Sequence, residues 1–372
     1  MLFSLFIKLA FVGWSFVLLC LPSAVGAETL NLPFQTAELG NPVREDDLVC
    51  ERPTHQPVIA LSLSSIYDQS DPIRTSVVRE QQLAYETSLQ PVRAFLLDLG
   101  KYASNFTESD GKNVSDAVCA LQMLSAWAQA DALSDLATRQ TWLSVTRIVA
   151  GSALAYMQVK HIGPQVGVDT QVIDQWFTRL ADGIIPIYTA SGERVSNRQN
   201  HRYWGGLAVA ASGVVTGNAD HLEFGIESFQ IGVCQVDKHG ALPLELARER
   251  RARAYHLHAV APLVMIAALA EANEKAIFDE CDSGLDRLVS FTLNSLHDDE
   301  LITALSGAEQ LPIPGQNGKV RGDLLAWTQA YFRYRPDQRA RFALNVDGPL
   351  SSSTLGGRLS VLFDPDRAGE SP

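Results

Sequence analysis

The 372-residue chain is poor in charge, and poorest in positive charge. Only 19% of its residues are Asp, Glu, Lys or Arg, and 30 basic side chains face 42 acidic ones. A formal charge of −12 argues against nucleic acid as a partner, because phosphate binding needs a cationic surface. Strand-like alternation of apolar and polar residues is scarce, which disfavours a sheet-based fold. There is no glycine-rich phosphate loop, no Gly-x-Ser-x-Gly elbow and no Cys/His nucleophile arrangement. The cysteine spacing and the accompanying histidines do not resemble a zinc site. His256 and His258, two apart, point away from each other on a helix and chelate poorly. No metal or organic cofactor is expected, so chemistry falls to Asn, His, Arg, Tyr and Trp.

What is present begins with a hydrophobic share of 46%, enough for a sizeable core. The amino end carries Lys8, an apolar run from Leu9 to Leu21, then Pro22-Ser23-Ala24-Val25-Gly26-Ala27. That order reads as a secretory signal over residues 1–27, cut before Glu28. The alternative is an uncleaved anchor, but the run falls short of the roughly 20 residues that cross a bilayer. The mature chain, 28–372, loses Lys8 and so moves from −12 to −13. It keeps Cys50, Cys119, Cys234 and Cys281 in a compartment where disulfides persist, periplasmic or secreted, with no membrane partner. Four cysteines allow three complete pairings, and spacing does not choose among them.

From about Ser115 onward apolar residues recur at helical spacing, first Leu121, Leu124, Ala128 and Ala132, then Val145, Val149, Ala153 and Tyr156. Further helical stretches run roughly 171–187, 201–215, 220–236, 245–273, 275–296 and 323–334. Turn chemistry separates them at Ile162-Gly163-Pro164, Gly217-Asn218 and Lys238-His239-Gly240. Long amphipathic helices with short connections favour antiparallel neighbours, so the expectation is an all-α fold of stacked helical hairpins. Residues 28–57 read as an extended arm held against that body. Residues 307–322, with Pro312, Pro314, Gly315 and Gly318, read as a mobile loop that could border a cleft.

Two clusters could carry chemistry. Asn200-His201-Arg202-Tyr203-Trp204 lies at an expected helix start, where His201 and Trp204, three apart, share a face. The plain alternative is an aromatic packing cluster with a satisfied histidine. Arg248 to His258 gathers four arginines in an acidic chain. If it is helical throughout, Arg248, Arg251 and Tyr255 fall on one stripe, and guanidinium groups beside a phenol favour phenolate. The plain alternative is a solvated basic face with Tyr255 half in the core.

These segments resemble the alginate lyase family of secreted bacterial poly(β-D-mannuronate) lyases. The likeness is carried by Asn200-His-Arg-Tyr-Trp204, by Gln235 to Leu246 followed by Arg248 to His256, and by Cys119-Ala-Leu with Trp127 to Leu133. Tyr67 to Asp71 and Leu355 to Phe363 extend it over the mature chain. It implies one domain, an (α/α) toroid or incomplete barrel of antiparallel helical hairpins. It also implies β-elimination in a 1,4-linked polyuronide, most simply mannuronate-rich alginate, giving 4,5-unsaturated uronate ends. By the same resemblance Asn200, His201 and Arg248 bind and neutralise the sugar carboxylate, and Tyr255 moves the proton. Trp204 and Tyr203 are expected as sugar platforms, although Tyr203 equally suits the core. Tyr67 and Arg251 complete the expected substrate-binding set, and Cys50 and Cys119 are expected to pair. The partner is then an anionic polysaccharide, with a monomer as the default.

The chain departs from the family at two places. It reads Ser65-Ile66-Tyr67-Asp68 where members commonly have Ser-Lys-Tyr-Glu, and Ser353-Thr354 where arginines often precede Leu-Gly-Gly. Arg358 or Arg74 could replace the missing cations. The departures leave open a lyase for another polyuronide such as polyglucuronate. A non-catalytic polysaccharide-binding protein of an export system is the alternative from a different class.

Overall fold

A computed structural model describes residues 29–40, 42–52, 55–71, 76–190, 194–342 and 344–367. The expected signal segment and Arg74 lie outside the described residues. The principal helices are α1 (Arg79–Glu108), α2 (Val114–Gln129), α3 (Arg139–Met157), α4 (Thr170–Thr189), α5 (Asn200–Thr216) and α6 (Ala219–Val233). A short turn of helix, α7 (Pro243–Leu246), precedes α8 (Ala252–Ala272) and α9 (Glu280–Asn294). The described strands are two-residue pairs, such as Ala60–Leu61 running parallel to Asp135–Leu136.

Several helix starts follow from their cap residues. The side chains of Thr138, Asp169 and Asn218 accept hydrogen bonds from the backbone N–H of Thr141, Gln171 and His221, satisfying donors that a helix start leaves unpaired. Consecutive helices pack as hairpins, α1 on α2, α3 on α4, α5 on α6 and α8 on α9. The first member of each hairpin also packs on the next, α1 on α3, α3 on α5 and α5 on α8. The result is an inner layer of α1, α3, α5 and α8 wrapped by an outer layer of α2, α4, α6 and α9, an (α/α) toroid. The pieces Thr328–Tyr334 and Leu359–Leu362 bridge the open side between α8 and α1. The toroid is therefore an incomplete barrel.

The inner helices α3, α5 and α8 are apolar on nearly every side because they are enclosed on nearly every side, whereas α1 keeps an exposed amino-terminal half. An 18-residue window within Glu249–Ala272 has a mean hydropathy of 1.3, apolar and long enough to cross a membrane, yet 78% of that window is buried inside the protein. Close approach is set by small residues. A Cβ added at Gly206 of α5 would lie 2.3 Å from the Ser228 Cβ of α6, which fixes how tightly that hairpin closes.

The arm beginning at residue 29 runs over this body. Phe34 packs edge-on against Phe363, and the His55 carbonyl accepts from the Trp127 indole at 3.0 Å. Cys50 is disulfide-bonded to Cys119 of α2, as the resemblance implies, and Cys234 to Cys281.

Candidate active site

Because an outer helix returns the chain between successive inner ones, the four inner helices run parallel, and their amino-terminal halves surround one cavity. It measures about 750 Å³ and is lined by Gln82, Tyr85, Glu86 and Arg93 of α1, and by Gln140, Leu143, Ser144 and Arg147 of α3. Asn200, His201 and Trp204 of α5, and Ala254, Tyr255 and His258 of α8, continue the wall. The segment 65–67 and Arg248 complete it, with 195, 196 and 199. Helix amino ends carry partial positive charge, and the ionised side chains among the lining residues are Arg93, Arg147 and Arg248 against Glu86. The cavity thus attracts anions although the chain as a whole is acidic.

The start of α5 explains how Asn200 is held. Gln199, before it, makes no side-chain cap. Glu245 of α7 fills that place from outside the helix. Its carboxylate accepts from the Asn200 backbone N–H at 2.9 Å and from the Asn200 amide nitrogen at 3.0 and 3.2 Å. An amide nitrogen carries two N–H bonds, so one stays available for a ligand. Glu245 is fully buried, and burial pushes its carboxyl up to about 6 against the lowering effect of the Asn200 hydrogen bonds and Arg248. The approach to α5 is pinned by Arg139, whose guanidinium donates to Ser196 at 2.9 Å and to Asn197 at 2.8 Å.

His201 faces the cavity from the first turn of α5. Burial, then the charges of Arg147, Arg248 and Arg139, lower its imidazole to about 4. It is a neutral group at ordinary pH, able to donate through one ring nitrogen and accept through the other. Trp204 lines the same wall, stacked on the His258 ring at 5.3 Å, with its indole N–H donating to the His258 carbonyl at 3.0 Å.

Arg248 and Tyr255 meet by a different route from a continuous helix. The expected helix 245–273 is broken. α7 ends at Leu246, a 3-10 turn spans Glu249–Arg251, and α8 begins at Ala252, with Glu249 in the left-handed region at φ 47°. The turn swings Arg248 back, so that its Nη2 donates to the Tyr255 hydroxyl at 2.7 Å and its guanidinium carbon lies 4.1 Å from the ring centre. The Tyr67 hydroxyl contacts the same Tyr255 oxygen at 2.7 Å. Expected phenolate character is corrected here. Burial and Tyr67 raise the Tyr255 hydroxyl well above the ordinary tyrosine value, and Arg248 only partly opposes them.

Of the expected site residues, Asn200, His201, Trp204, Arg248, Tyr255 and Tyr67 line the one cavity. Tyr203 does not. It is 1% exposed, in the core, and its hydroxyl donates to the Arg198 carbonyl at 3.1 Å, so it cannot offer a sugar platform from that position. Arg251 stands behind Tyr67, its guanidinium carbon 5.9 Å from that ring, and is not among the lining residues. Of the departures from the family pattern, Ile66 lines the cavity, whereas Thr354 and Ser353 sit against Gly151 of α3. Arg358 pairs with Glu108 instead of reaching the cavity. The loop 307–322 does not border the cavity either. Through Gln310 and Leu311 it bonds to the backbone of Glu249, Arg250 and Arg253, buttressing the Arg248 turn from behind.

Glu245, Arg147 and His258 are the site groups that the sequence reading passed over as functional. Glu245 left one signal, a lone acid inside Ala241-Leu242-Pro243-Leu244-Glu245-Leu246.

Comparison with known proteins gives the family and the fold. Residues 122–302 match the family described as alginate lyase. An alginate lyase of Pseudomonas fluorescens strain SBW25 is 30% identical over 315 residues, covering 82% of each chain. One from Azotobacter vinelandii is 30% identical over 310 residues, covering 82% of this chain and 81% of its own. Among solved structures, alginate lyase A1-III from Sphingomonas species A1 superposes with a TM-score of 0.67 at 20% identity, over 87% of this chain and 88% of that one, a likeness of fold. A variant of alginate lyase A1-III was solved in complex with a tetrasaccharide. This chain belongs to the alginate lyase family.

Proposed function

We propose that this protein is an exported polysaccharide lyase that cleaves mannuronate-rich alginate by β-elimination, acting as one domain and without a metal or organic cofactor. The observation that carries the reading is the Tyr255 hydroxyl, held at 2.7 Å by both Arg248 and Tyr67 in the cavity that Asn200 and His201 also line.

The chemical obstacle lies in the substrate. The C5 proton of a uronate sits beside an ionised carboxylate, which resists further negative charge at C5. Donors fixed in a water-poor cleft and aimed at that carboxylate lower the barrier by several kcal/mol, about 3 for a single well-placed donor. The free N–H of Asn200, the neutral imidazole of His201 and the guanidinium of Arg248 supply those donors. The small fraction of Tyr255 that has lost its hydroxyl proton to solvent takes the C5 proton. The electron pair forms the C4–C5 double bond, and the bond from C4 to the glycosidic oxygen breaks. The same tyrosine returns its proton to the departing oxygen. In mannuronate the C5 proton and the C4 oxygen lie on one side of the ring, so one phenolic oxygen serves both steps. For an epimer with the proton on the other face, His201 is the base.

Trp204 provides an aromatic wall for the sugar. The two disulfides fit an oxidising compartment, which supports export to the periplasm or beyond. Ile66 favours one second reading, a lyase for another polyuronide such as polyglucuronate, because an apolar side chain lines the cavity where members commonly place a lysine. Incubation with polymannuronate, polyguluronate and glucuronan, followed by the ultraviolet absorbance of the unsaturated product, tests both readings. Fastest release from polymannuronate is expected. Absence of product from all three overturns the lyase assignment in favour of a binding protein.

A further inference from the structure

Arg147 is a cation that the proposed chemistry leaves unused. It sits on α3 one turn beyond Leu143 and Ser144 and two beyond Gln140, and these four form one face of the helix along the cavity wall. Its guanidinium makes no hydrogen bond, ion pair or ring contact with any described residue, although the chain holds 42 acidic side chains. Neighbouring arginines are engaged. Arg139 donates to Ile187, Ser196 and Asn197, Arg248 holds Tyr255, and Arg202 lies 4.0 Å over the Phe224 ring. A half-buried guanidinium without an acid is costly unless something anionic enters beside it, and its planar fork of donors matches a carboxylate. Its charge is felt by both imidazoles of the site, lowering His201 and His258, which places it within electrostatic reach of the catalytic wall. Ile66, on the same cavity, brings no charge of its own.

We propose that Arg147 binds the carboxylate of the uronate adjacent to the one being cleaved, so that the cleft recognises two consecutive acidic sugars. The proposal rests on the polyuronide reading above and extends it to a specificity-determining residue.

The test compares the parent with Arg147→Ala and Arg147→Lys on polymannuronate, and titrates each with a saturated mannuronate tetrasaccharide. A charged hydrogen bond of this kind corresponds to about a tenfold or larger change. Arg147→Ala should raise KM and the tetrasaccharide Kd by about that factor, with kcat falling far less, and Arg147→Lys should recover most of the loss. Partial methyl esterification of the polymer should slow the parent and leave Arg147→Ala less affected. An alanine variant with KM and Kd within about twofold of the parent, or one that keeps the parent's response to esterification, overturns the proposal. If the parent forms no unsaturated product from any polyuronide, the lyase reading fails on that result alone. The tetrasaccharide Kd ratio still decides for or against Arg147.

Discussion

At the scale of single residues, the site is built from polar groups whose partners fix their protonation. Glu245 is a positioning residue, since it holds Asn200 by backbone and side chain without lining the cavity. With its carboxyl pushed up to about 6, it gains a proton as pH falls through that value and loosens its hold on Asn200. The expected kcat/KM profile therefore steepens on the acid side below about 6, and Glu245→Gln, which has no proton to gain, removes that steepening while keeping part of the activity. Steepening that persists in the glutamine variant contradicts this role. Tyr255 acts at the other end. Its raised hydroxyl keeps it protonated near neutrality, so kcat/KM should rise about tenfold per pH unit across the mildly alkaline range. A plateau already reached at neutral pH would show that the base is another group. The sequence grouped Arg248 with Tyr255 on the stripe of a helix that is in fact broken, and only the family likeness pointed to His201 as a cleft residue; Arg147 left no signal, because an arginine at helical spacing looks like any solvated position until the ring of helices is closed.

At the scale of elements, sequence patterning located α2 to α6 within a few residues, because their apolar residues recur at helical spacing between clear turn signals. It missed α1, the 30-residue helix with Pro91 inside it, whose exposed amino-terminal half carries little apolar periodicity. It also joined α7 to α8, since Arg248 to Arg253 has helical composition and only tertiary contacts bend it. The bend costs strain. A non-glycine residue in the left-handed region is disfavoured by about 1 kcal/mol or more, and the bonds from Gln310 and Leu311 hold Glu249 and Arg250 there. Glu249→Gly should leave folding stability equal or higher. Glu249→Val should lower it by about 1 to 3 kcal/mol and reduce kcat, because Arg248 moves with the turn. Urea unfolding and steady-state rates measured on both variants check this; equal stability of the valine and glycine variants would contradict it.

At the scale of the molecule, parallel inner helices turn four amino-terminal ends toward one cavity, and this arrangement reconciles an acidic protein with an anionic polymer. Stability should respond to acid through the buried histidines. The His256 side chain, fully buried, accepts from the Leu242 N–H and is lowered to about 4 by burial, whereas in the unfolded chain it titrates near 6.5. The unfolded state then binds the extra proton between those values, so stability falls as pH drops from about 6.5 toward 4, by at most about 3 kcal/mol for this residue. Glu245 works in the opposite direction between 4.5 and about 6, since its folded carboxyl binds the proton first. Denaturant unfolding of the parent and of His256→Gln at pH 7 and pH 4.5 should show a shallower pH dependence in the variant; identical slopes would contradict it.

The central claim is that Tyr255 relays the proton while Asn200, His201 and Arg248 quench the sugar carboxylate. Its most direct test is to measure, with Tyr255→Phe, both the release of unsaturated product from polymannuronate and the binding of a mannuronate tetrasaccharide. The account predicts product formation reduced by about a thousandfold or more with Kd within a few-fold of the parent. Substantial turnover by Tyr255→Phe would contradict it.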